Sequence, residues 1–325
     1  MDFKMHEYTH AIVSTVTKTI RKGDGADYRD SRRQHDCYVR LLSELNLEIV
    51  EVDTGSAFPE NVVLEDLALV CHGIALLSKQ KPEDEHAVKA LKHVLEKDLG
   101  QTVIEVTDPD AKLMGSDVLF TGQEFFVGIC ETTNEAGAIA VAEAFPEFPC
   151  TPIKIAKGSQ HLKKYITVAG PDVLCVAASK EAKELLKKME REATFSYQTL
   201  TVPEDDAANC LYANGTLIHR AIEEIPQSFK VFCEKIDFAR RSICFSELSK
   251  ISSGLSACCL LVIFLDEKVF SSTSDGRVSL WRTNNTRYNP TNILKDRRSG
   301  RITCGVWGWM SSAVNYAKYL VVSTA

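Results

Sequence analysis

Short apolar runs bounded by turn residues recur along the chain, and this pattern predicts β-strands. Three of the longer runs are interrupted by residues suited to tight hairpin turns, at His72-Gly73, Gly122 and Asn214-Gly215. These interruptions predict paired antiparallel strands. The predicted strand regions are 10–16, 47–52, 67–78, 102–106, 117–129, 166–179, 210–220 and 254–262.

Between these runs, apolar residues recur every three to four positions, which is typical of helices with one buried face. The predicted helices are 31–45, 83–98, 134–145, 180–190 and 227–238. A strand pair, a helix and a further strand therefore repeat roughly every 50 residues along 1–265. This order predicts an α/β fold built from several similar units around one centre.

Composition supports a globular protein with reduced cysteines. The chain has 325 residues, of which 45% are hydrophobic and 25% charged, so it can bury a large core. The apolar run Leu260 to Leu265 is far too short for a membrane span, and we expect a cytoplasmic protein. The 11 cysteines are odd in number and show no CxxC spacing, which favours free thiols over a disulfide framework.

Charge divides the chain into two predicted domains. Residues 266–325 carry nine Lys and Arg against four Asp and Glu, and all three tryptophans lie there. Since the whole chain has a net charge of −6, residues 1–265 carry −11. We therefore predict one folded domain at 1–265 and a poorly ordered extension at 266–325. The acidic body disfavours nucleic acid and anionic membranes as partners, and no oligomeric state is predicted.

Six motifs together resemble the dimethylarginine dimethylaminohydrolase family and span 3–262 in order. The resemblance implies the pentein fold, a five-bladed α/β-propeller of ββαβ-type units with pseudo-fivefold symmetry. The motifs are YTHAIV (8–13), RQHDCYVRLLSEL (33–45), FPENVVLEDLALV (58–70), GSDVLFTGQEFFVG (115–128), TVPEDDAANCLY (201–212) and SELSKISSGLSACC (246–259).

The resemblance also implies a reaction. Asymmetric dimethylarginine or monomethylarginine would be hydrolysed to citrulline and dimethylamine or methylamine, which relieves inhibition of nitric oxide synthesis. A cysteine thiolate would attack the guanidinium carbon, and water would hydrolyse the resulting thiouronium intermediate. No cofactor is implied, and the partner is a small-molecule methylated arginine.

Two residues match the family's reacting groups. Cys258, the first cysteine of the pair after the Gly254 turn, matches the nucleophile. Cys259 alternates to the other face of the strand and is predicted to lie in the core. His161, in the stretch HLK, matches the acid–base histidine, which protonates the leaving amine and then activates water.

Three carboxylates match the family's substrate-binding acids. Glu65 and Asp66 lie inside an apolar stretch, where an unpaired buried charge is costly, so a cationic ligand is a natural partner. Glu60 stands where the family has an aspartate. Cys258, His161, Glu65 and Asp66 also make a possible inhibitory zinc site, although no metal is required for the reaction.

Other positions depart from the family pattern and leave the function open. Met114 stands where a carboxylate would orient the histidine, while Asp117 matches a different family aspartate. Thr132 and Asp84 stand where arginines would grip the substrate carboxylate. Three hypotheses follow: a working dimethylarginine hydrolase, which is the best single description; a related thiol amidinohydrolase of another guanidine such as agmatine; and a non-catalytic binding homologue.

The extension yields a first prediction. Because the last propeller strand should end near 265, truncation after residue 268 should leave the melting temperature of the remaining protein unchanged. Thermal denaturation of the full-length and truncated proteins measures this. A fall of many degrees would show that the tryptophan-containing extension stabilises the body.

Overall fold

The computed structural model describes ten segments of the chain and divides it into two units, Met1–Phe264 and Leu265–Ala325. The boundary lies beside the predicted one, while the predicted poor order of 266–325 stays a prediction. The described segments are 7–15, 26–54, 63–78, 85–156, 158, 160–252, 254–263, 266–271, 303–308 and 320–322.

Five three-stranded sheets make up the described part of the first unit, and each follows the same plan. In spatial order the first strand pairs antiparallel with the second, and the second pairs in parallel with the third; in four of these five sheets the antiparallel pair is a hairpin of consecutive strands. The strands are β1 His10–Ser14, β2 Glu48–Val52, β3 Ala68–Cys71, β4 Ile74–Leu77, β5 Thr102–Glu105, β6 Val118–Phe120, β7 Phe125–Ile129, β8 Cys150–Lys154, β9 Ile166–Gly170, β10 Val173–Ala177, β11 Gln198–Val202, β12 Leu211–Ala213, β13 Thr216–Arg220, β14 Ala239–Ile243 and β15 Cys259–Val262.

One sheet joins the two ends of this unit. Strand β15 pairs antiparallel with β1, placing Cys259 opposite Val13, and β1 pairs in parallel with β2. The other sheets take consecutive strands, from β3–β4–β5 to β12–β13–β14. The repeat predicted from the apolar pattern is therefore present, and the α/β class is confirmed.

All of the described α-helices except the short one before β9 provide crossovers between second and third strands, because a parallel connection needs a long return path. The helices are α1 Tyr28–Glu44, α2 Glu85–His93, which continues as a π-helical turn over Val94–Asp98, α3 Glu135–Ala144, α4 Leu162–Tyr165, α5 Lys180–Glu192 and α6 Pro226–Lys235. Asp27 caps α1 by accepting hydrogen bonds from the backbone N–H groups of Arg29 and Asp30 at 2.8 and 3.0 Å. The buried side of α1 packs Tyr38 and Leu42 into a core shared with β1.

The predicted hairpin turns are confirmed by their backbone angles. His72, Gly73, Gly122, Asn214 and Gly215 all have positive φ. Asn and Gly tolerate positive φ angles better than other residues, so these turns could be predicted from the sequence.

The third strands of three sheets, β8, β11 and β14, were not predicted. Each of these strands contains exposed polar residues beside its buried ones. The sequence therefore shows no apolar run there that would predict a strand.

The second unit contains three described strands in one antiparallel sheet. They are β16 Asp266–Ser271, β17 Thr303–Gly308 and β18 Leu320–Val322. In neither unit is any helix among the described residues long and apolar enough to cross a membrane.

Candidate active site

A buried ion pair lies between the predicted catalytic segments. Lys163 Nζ contacts Glu65 Oε1, and both side chains are largely removed from solvent. Burial raises the pKa of Glu65, and the neighbouring Lys163 ammonium opposes this rise. The sequence predicts a cationic ligand as partner for Glu65, and this substrate-binding role stays a prediction. The structure shows that Lys163 already supplies a cation from within the chain.

Asn209 and Ser256 complete the surroundings of this pair. Ser256 Oγ donates to Glu65 Oε2 at 3.1 Å, and its backbone N–H donates to Asn209 Oδ1 at 3.0 Å. Asn209 Nδ2 donates to Ser256 Oγ at 3.0 Å and to the Lys163 carbonyl at 3.1 Å. Glu65, Lys163, Asn209 and Ser256 form one closed network, which we call the ion-pair network.

Two glycines permit the close packing around this network. A Cβ at Gly115 would lie 1.7 Å from the Glu65 carbonyl oxygen, and one at Gly254 would lie 2.4 Å from the Asn209 side chain. Gly254 also has φ +148, which side-chain-bearing residues rarely adopt. Both positions therefore require glycine for reasons of space, and Gly254 also for its backbone angle.

His161 is held by Asp117 just before α4. The His161 Nδ1 atom lies 3.1 Å from Asp117 Oδ1, and the Leu162 N–H donates to the same oxygen at 3.3 Å. The hydrogen bond to Asp117 raises the pKa of His161 against the opposing effect of burial, and the negative charges of Asp66 and Glu65 add to the rise. The protonated imidazolium is therefore favoured, as a general acid requires.

Asp117 is fully buried, and the hydrogen-bond donors around it stabilise its ionised carboxylate. Burial works against the charge, but hydrogen bonds from His161, Thr133 and Thr132 outweigh it and hold the pKa below its usual value. Thr132 Oγ1 and Thr133 Oγ1 donate to Asp117 Oδ2 at 2.8 and 2.7 Å, and Cys130 Sγ lies 3.2 Å away.

These contacts correct the prediction made for Met114. The histidine keeps an orienting carboxylate because Asp117, three residues further on, fills that role through the 3₁₀ turn Gly115–Asp117. Met114 contributes backbone instead: its N–H donates to Thr133 Oγ1 at 3.1 Å, and its carbonyl accepts from the Asp117 N–H at 3.0 Å.

Asp66 is the half-buried carboxylate of the site. Its Oδ1 accepts from the Ser116 N–H at 2.9 Å and from Ser116 Oγ at 2.6 Å. Among the described residues it forms no ion pair with a lysine or arginine. Asp66 is also close enough to His161 to contribute to its raised pKa.

Comparison with known proteins places these residues in a family. Human DDAH2 is 30% identical over 274 residues, covering 78% of this chain and 94% of the relative, and bovine DDAH2 is 31% identical over the same shares. The N(G),N(G)-dimethylarginine dimethylaminohydrolase of Pseudomonas aeruginosa is 22% identical over 263 residues, covering 77% of this chain and 97% of that enzyme. This chain belongs to the dimethylarginine dimethylaminohydrolase family. The family's named members are hydrolases, and the chain is an enzyme of this amidinohydrolase type.

Solved structures of similar proteins share the fold of this chain. The P. aeruginosa dimethylarginine dimethylaminohydrolase, a cysteine-to-serine mutant complexed with citrulline, matches with a TM-score of 0.65 at 19% identity over 79% of this chain and 100% of that chain. The N-terminal domain of the cyanobacterial arginine dihydrolase ArgZ matches with a TM-score of 0.63 at 16% identity over 79% and 98%. No family model matches the chain.

The two adjacent cysteines that resemble the dimethylarginine dimethylaminohydrolase nucleophile region are both buried. Cys258 Sγ lies 3.8 Å from the Gly254 carbonyl, and Cys259 Sγ accepts from the Tyr38 hydroxyl at 3.1 Å. Burial raises the pKa of each thiol to about 12. In the described part of the chain, neither is hydrogen-bonded to His161.

Cys258 nevertheless adjoins the ion-pair network. It follows Ser256 by two residues, and the preceding Ala257 carbonyl accepts from the Glu65 N–H at 3.3 Å. Glu65 therefore links the nucleophile segment to Lys163, two residues after His161.

A cavity of about 160 Å³ reaches the same network from another side. It is lined by residues of the first strand of every sheet, β3, β6, β9, β12 and β15, and by Glu65, Lys163 and Ser256. Cys259 lines this cavity, whereas Cys258 and His161 do not. The two cysteines thus face different surroundings.

The remaining predicted site residues divide into two groups. Glu60 and Asp84 lie outside the described residues. No group of three or more His, Cys, Asp and Glu side chains within the described residues could hold a metal ion, so the suggested zinc site at Cys258, His161, Glu65 and Asp66 is not formed. Lys163 and Ser256 already engage Glu65, which removes it as a ligand.

Sequence reasoning missed Lys163, Asn209 and Ser256. Each lies in a quoted family motif or beside a predicted residue: Lys163 two positions after His161, and Ser256 two before Cys258. A buried Glu65 carboxylate needs a charged partner, and this requirement correctly predicted a cation beside it.

Replacing Asp117 by asparagine tests the orientation of the histidine. Because the anion sustains the imidazolium, Asp117→Asn should lower kcat by about a hundredfold or more. It should also lower the pKa of His161. Activity that needs protonated His161 is lost as pH rises through this pKa, so the alkaline limb of the pH–rate profile should move to lower pH. Met114→Asp is the control and should leave the profile unchanged; a large gain would instead assign the role to position 114.

Removing Lys163 tests the buried pair. Lys163→Met leaves Glu65 buried without a cation and should lower the free energy of unfolding by about 3–5 kcal/mol. The double variant Glu65→Gln with Lys163→Met removes both charges and should recover much of this loss. Urea denaturation of the three proteins measures it. Equal stability of the single variant and the parent would refute the pairing.

Proposed function

We propose that this chain hydrolyses the guanidinium group of a methylated arginine to a urea and an amine. The observation that carries the proposal is the His161–Asp117 pair beside Asp66. A protonated imidazole can give its proton to a departing amine, and a carboxylate without a lysine or arginine partner can hold a guanidinium. Both groups are needed for this reaction and lie together.

Cys258 is the proposed nucleophile. Its raised pKa keeps the thiol protonated near neutral pH in the free protein. A guanidinium cation bound at Asp66 would favour the thiolate, because an opposite charge nearby stabilises the ionised form. The substrate thus activates the residue that attacks it, and the thiol stays unreactive in its absence.

The reaction then proceeds in two balanced steps. The Cys258 sulfur forms a bond to the guanidinium carbon while the bond to the methylated nitrogen breaks, and the His161 imidazolium gives its proton to the leaving amine. Neutral His161 next takes a proton from water, whose oxygen bonds to the same carbon. The carbon–sulfur bond then breaks and the remaining hydroxyl proton passes to solvent, releasing the thiolate and the ureido product, which is citrulline when the substrate is a methylarginine.

The ion-pair network serves this chemistry by positioning. Lys163 and Ser256 contact the Glu65 carboxylate, and the Glu65 backbone holds the segment before Cys258. Asp66 is therefore the main proposed substrate-binding carboxylate. Glu60 remains a further proposed contact to the substrate.

Substrates without an α-carboxylate are a second candidate class. Thr132, which stands where an arginine of the family would bind that carboxylate, donates instead to Asp117. This contact favours a guanidine such as agmatine over a full amino acid. The case for a non-catalytic homologue is weaker, because it depended on the loss of histidine orientation at Met114.

We further propose that the five sheets close into a propeller. The pairing of β15 with β1 supports closure, since it joins the first and last strands of the unit. The single cavity lined by the first strand of each sheet supports a common axis.

The test of function is product formation by the purified protein. Dimethylarginine, monomethylarginine and agmatine are supplied in parallel without added metal, and citrulline and the released amines are quantified. Turnover of a methylarginine supports the first proposal, and turnover of agmatine alone supports the second. Absence of product from all three would contradict both.

Matched cysteine variants then assign the nucleophile. Cys258→Ser should abolish turnover and prevent a covalent thiouronium adduct, which intact-protein mass spectrometry detects. Cys259→Ser should retain both, since it removes a hydrogen bond to Tyr38 and no reacting atom. The reverse result would move the nucleophile to Cys259.

A further inference from the structure

A second pair of cysteines lies in the core outside the proposed site. Cys175 is in the middle of β10, and Cys210 directly precedes β12. Both side chains are buried, the Cys175 thiol donates to the Ala207 carbonyl at 3.7 Å, and the two thiols are close enough to shift each other's pKa. Neither thiol has a part in the proposed hydrolysis.

Other contacts place both thiols around Thr167 and residues 207–210. Thr167 is the ladder partner of Cys175, and its Oγ1 lies 3.2 Å from Cys210 Sγ. Cys175 Sγ lies 3.7 Å from the Ala207 carbonyl, beneath the segment that leads to Cys210. The two thiols therefore meet where β9, β10 and residues 207–210 pack together.

Cys210 is also the member of the pair that lies at a cavity wall. It lines the cavity of about 160 Å³, and Cys175 does not. The neighbouring Cys175 thiol lowers the pKa of Cys210 against the effect of burial, and a thiol of lower pKa supplies more of the reactive thiolate. One thiol thus lines the cavity, and the second lies near it in the core.

We propose that Cys175 and Cys210 form a reversible disulfide when a small hydroperoxide enters the cavity. The Cys210 thiolate attacks one peroxide oxygen, the O–O bond breaks, and after protonation the products are a sulfenic acid and water or an alcohol. The Cys175 sulfur then attacks the Cys210 sulfur and expels the hydroxyl as water. Two thiols are oxidised by two electrons, and the peroxide is reduced by two.

The cross-link has a route to the proposed active site. Asn209, the neighbour of Cys210, holds the Lys163 carbonyl and both the N–H and the hydroxyl of Ser256. A bond between the sulfurs draws residues 207–210 toward β10 and so shifts Asn209 within the ion-pair network. Oxidation therefore couples to the positions of Cys258 and His161. Formation of the disulfide itself does not depend on the proposed hydrolase activity.

Peptide mapping of the wild-type protein tests the cross-link directly. Trypsin cleavage gives 165–180, with Cys175 as its one cysteine, and 192–220, with Cys210 as its one cysteine. After brief treatment with hydrogen peroxide and blocking of free thiols, we expect these peptides to be joined with the loss of two hydrogens. A thiol reductant should separate them. Sulfinic acid at Cys210 with Cys175 still free, or both thiols free while other cysteines are oxidised, would overturn the proposal.

Variants separate the cross-link from general oxidation. Cys175→Ser and Cys175→Ala should give no linked peptide, whereas Cys233→Ser, which removes an exposed thiol on α6, should give as much as the parent. Hydrogen-exchange mass spectrometry should show altered protection near 207–210 and 254–258 in the oxidised parent but not in oxidised Cys175→Ser. Unchanged protection in the cross-linked parent would overturn the coupling to the site, whether or not the protein turns over a guanidine.

Discussion

A carboxylate cannot stay ionised in a protein interior without a partner, and the buried Glu65–Lys163 pair meets this constraint at the centre of the site. The pair links segments far apart in sequence, because Glu65 precedes β3 and Lys163 lies in α4. Hydrogen bonds from Ser256 and Asn209 connect this pair to two further segments of the chain. Pairs of this kind contribute little net stability against apolar replacements, but breaking one leaves a costly charge. The arrangement therefore enforces one relative placement of four chain segments, which catalysis by positioned groups requires.

Around this centre the two residues proposed to react have opposite electrostatic environments. His161 is surrounded by negative charge and is held by a fully buried Asp117, so its protonated form is favoured. Cys258 lies in an apolar core that disfavours its thiolate. In the proposed mechanism the acid is therefore charged and the nucleophile neutral until a cationic substrate binds. Such an environment protects the thiol from casual alkylation and makes reactivity depend on the charge of the ligand.

Much of this could be predicted from the sequence. Short apolar runs and turn residues located the hairpins, because Asn214-Gly215 and His72-Gly73 suit positive φ. They could not reveal β8, β11 and β14, whose exposed edges carry no apolar pattern.

The family motifs led to His161, Asp66 and Cys258. They misassigned the orienting acid, because a 3₁₀ turn determines whether the side chain at position 114 or 117 faces the histidine. The role of Lys163 was not predicted, because its partner Glu65 is 98 positions away in the chain and local sequence patterns do not show such pairs.

The pairing of β15 with β1 has a consequence for the order of assembly. The strand that follows Cys258 is the last of the fifteen strands described in its unit to leave the ribosome, while its partner β1 is the first. Until residues 259–262 emerge, β1 presents an open edge that another chain could pair with. The proposed nucleophile and the strand that completes this sheet are therefore synthesised together. A nascent chain, or one terminated before residue 259, lacks the partner of β1 and exposes an edge prone to association.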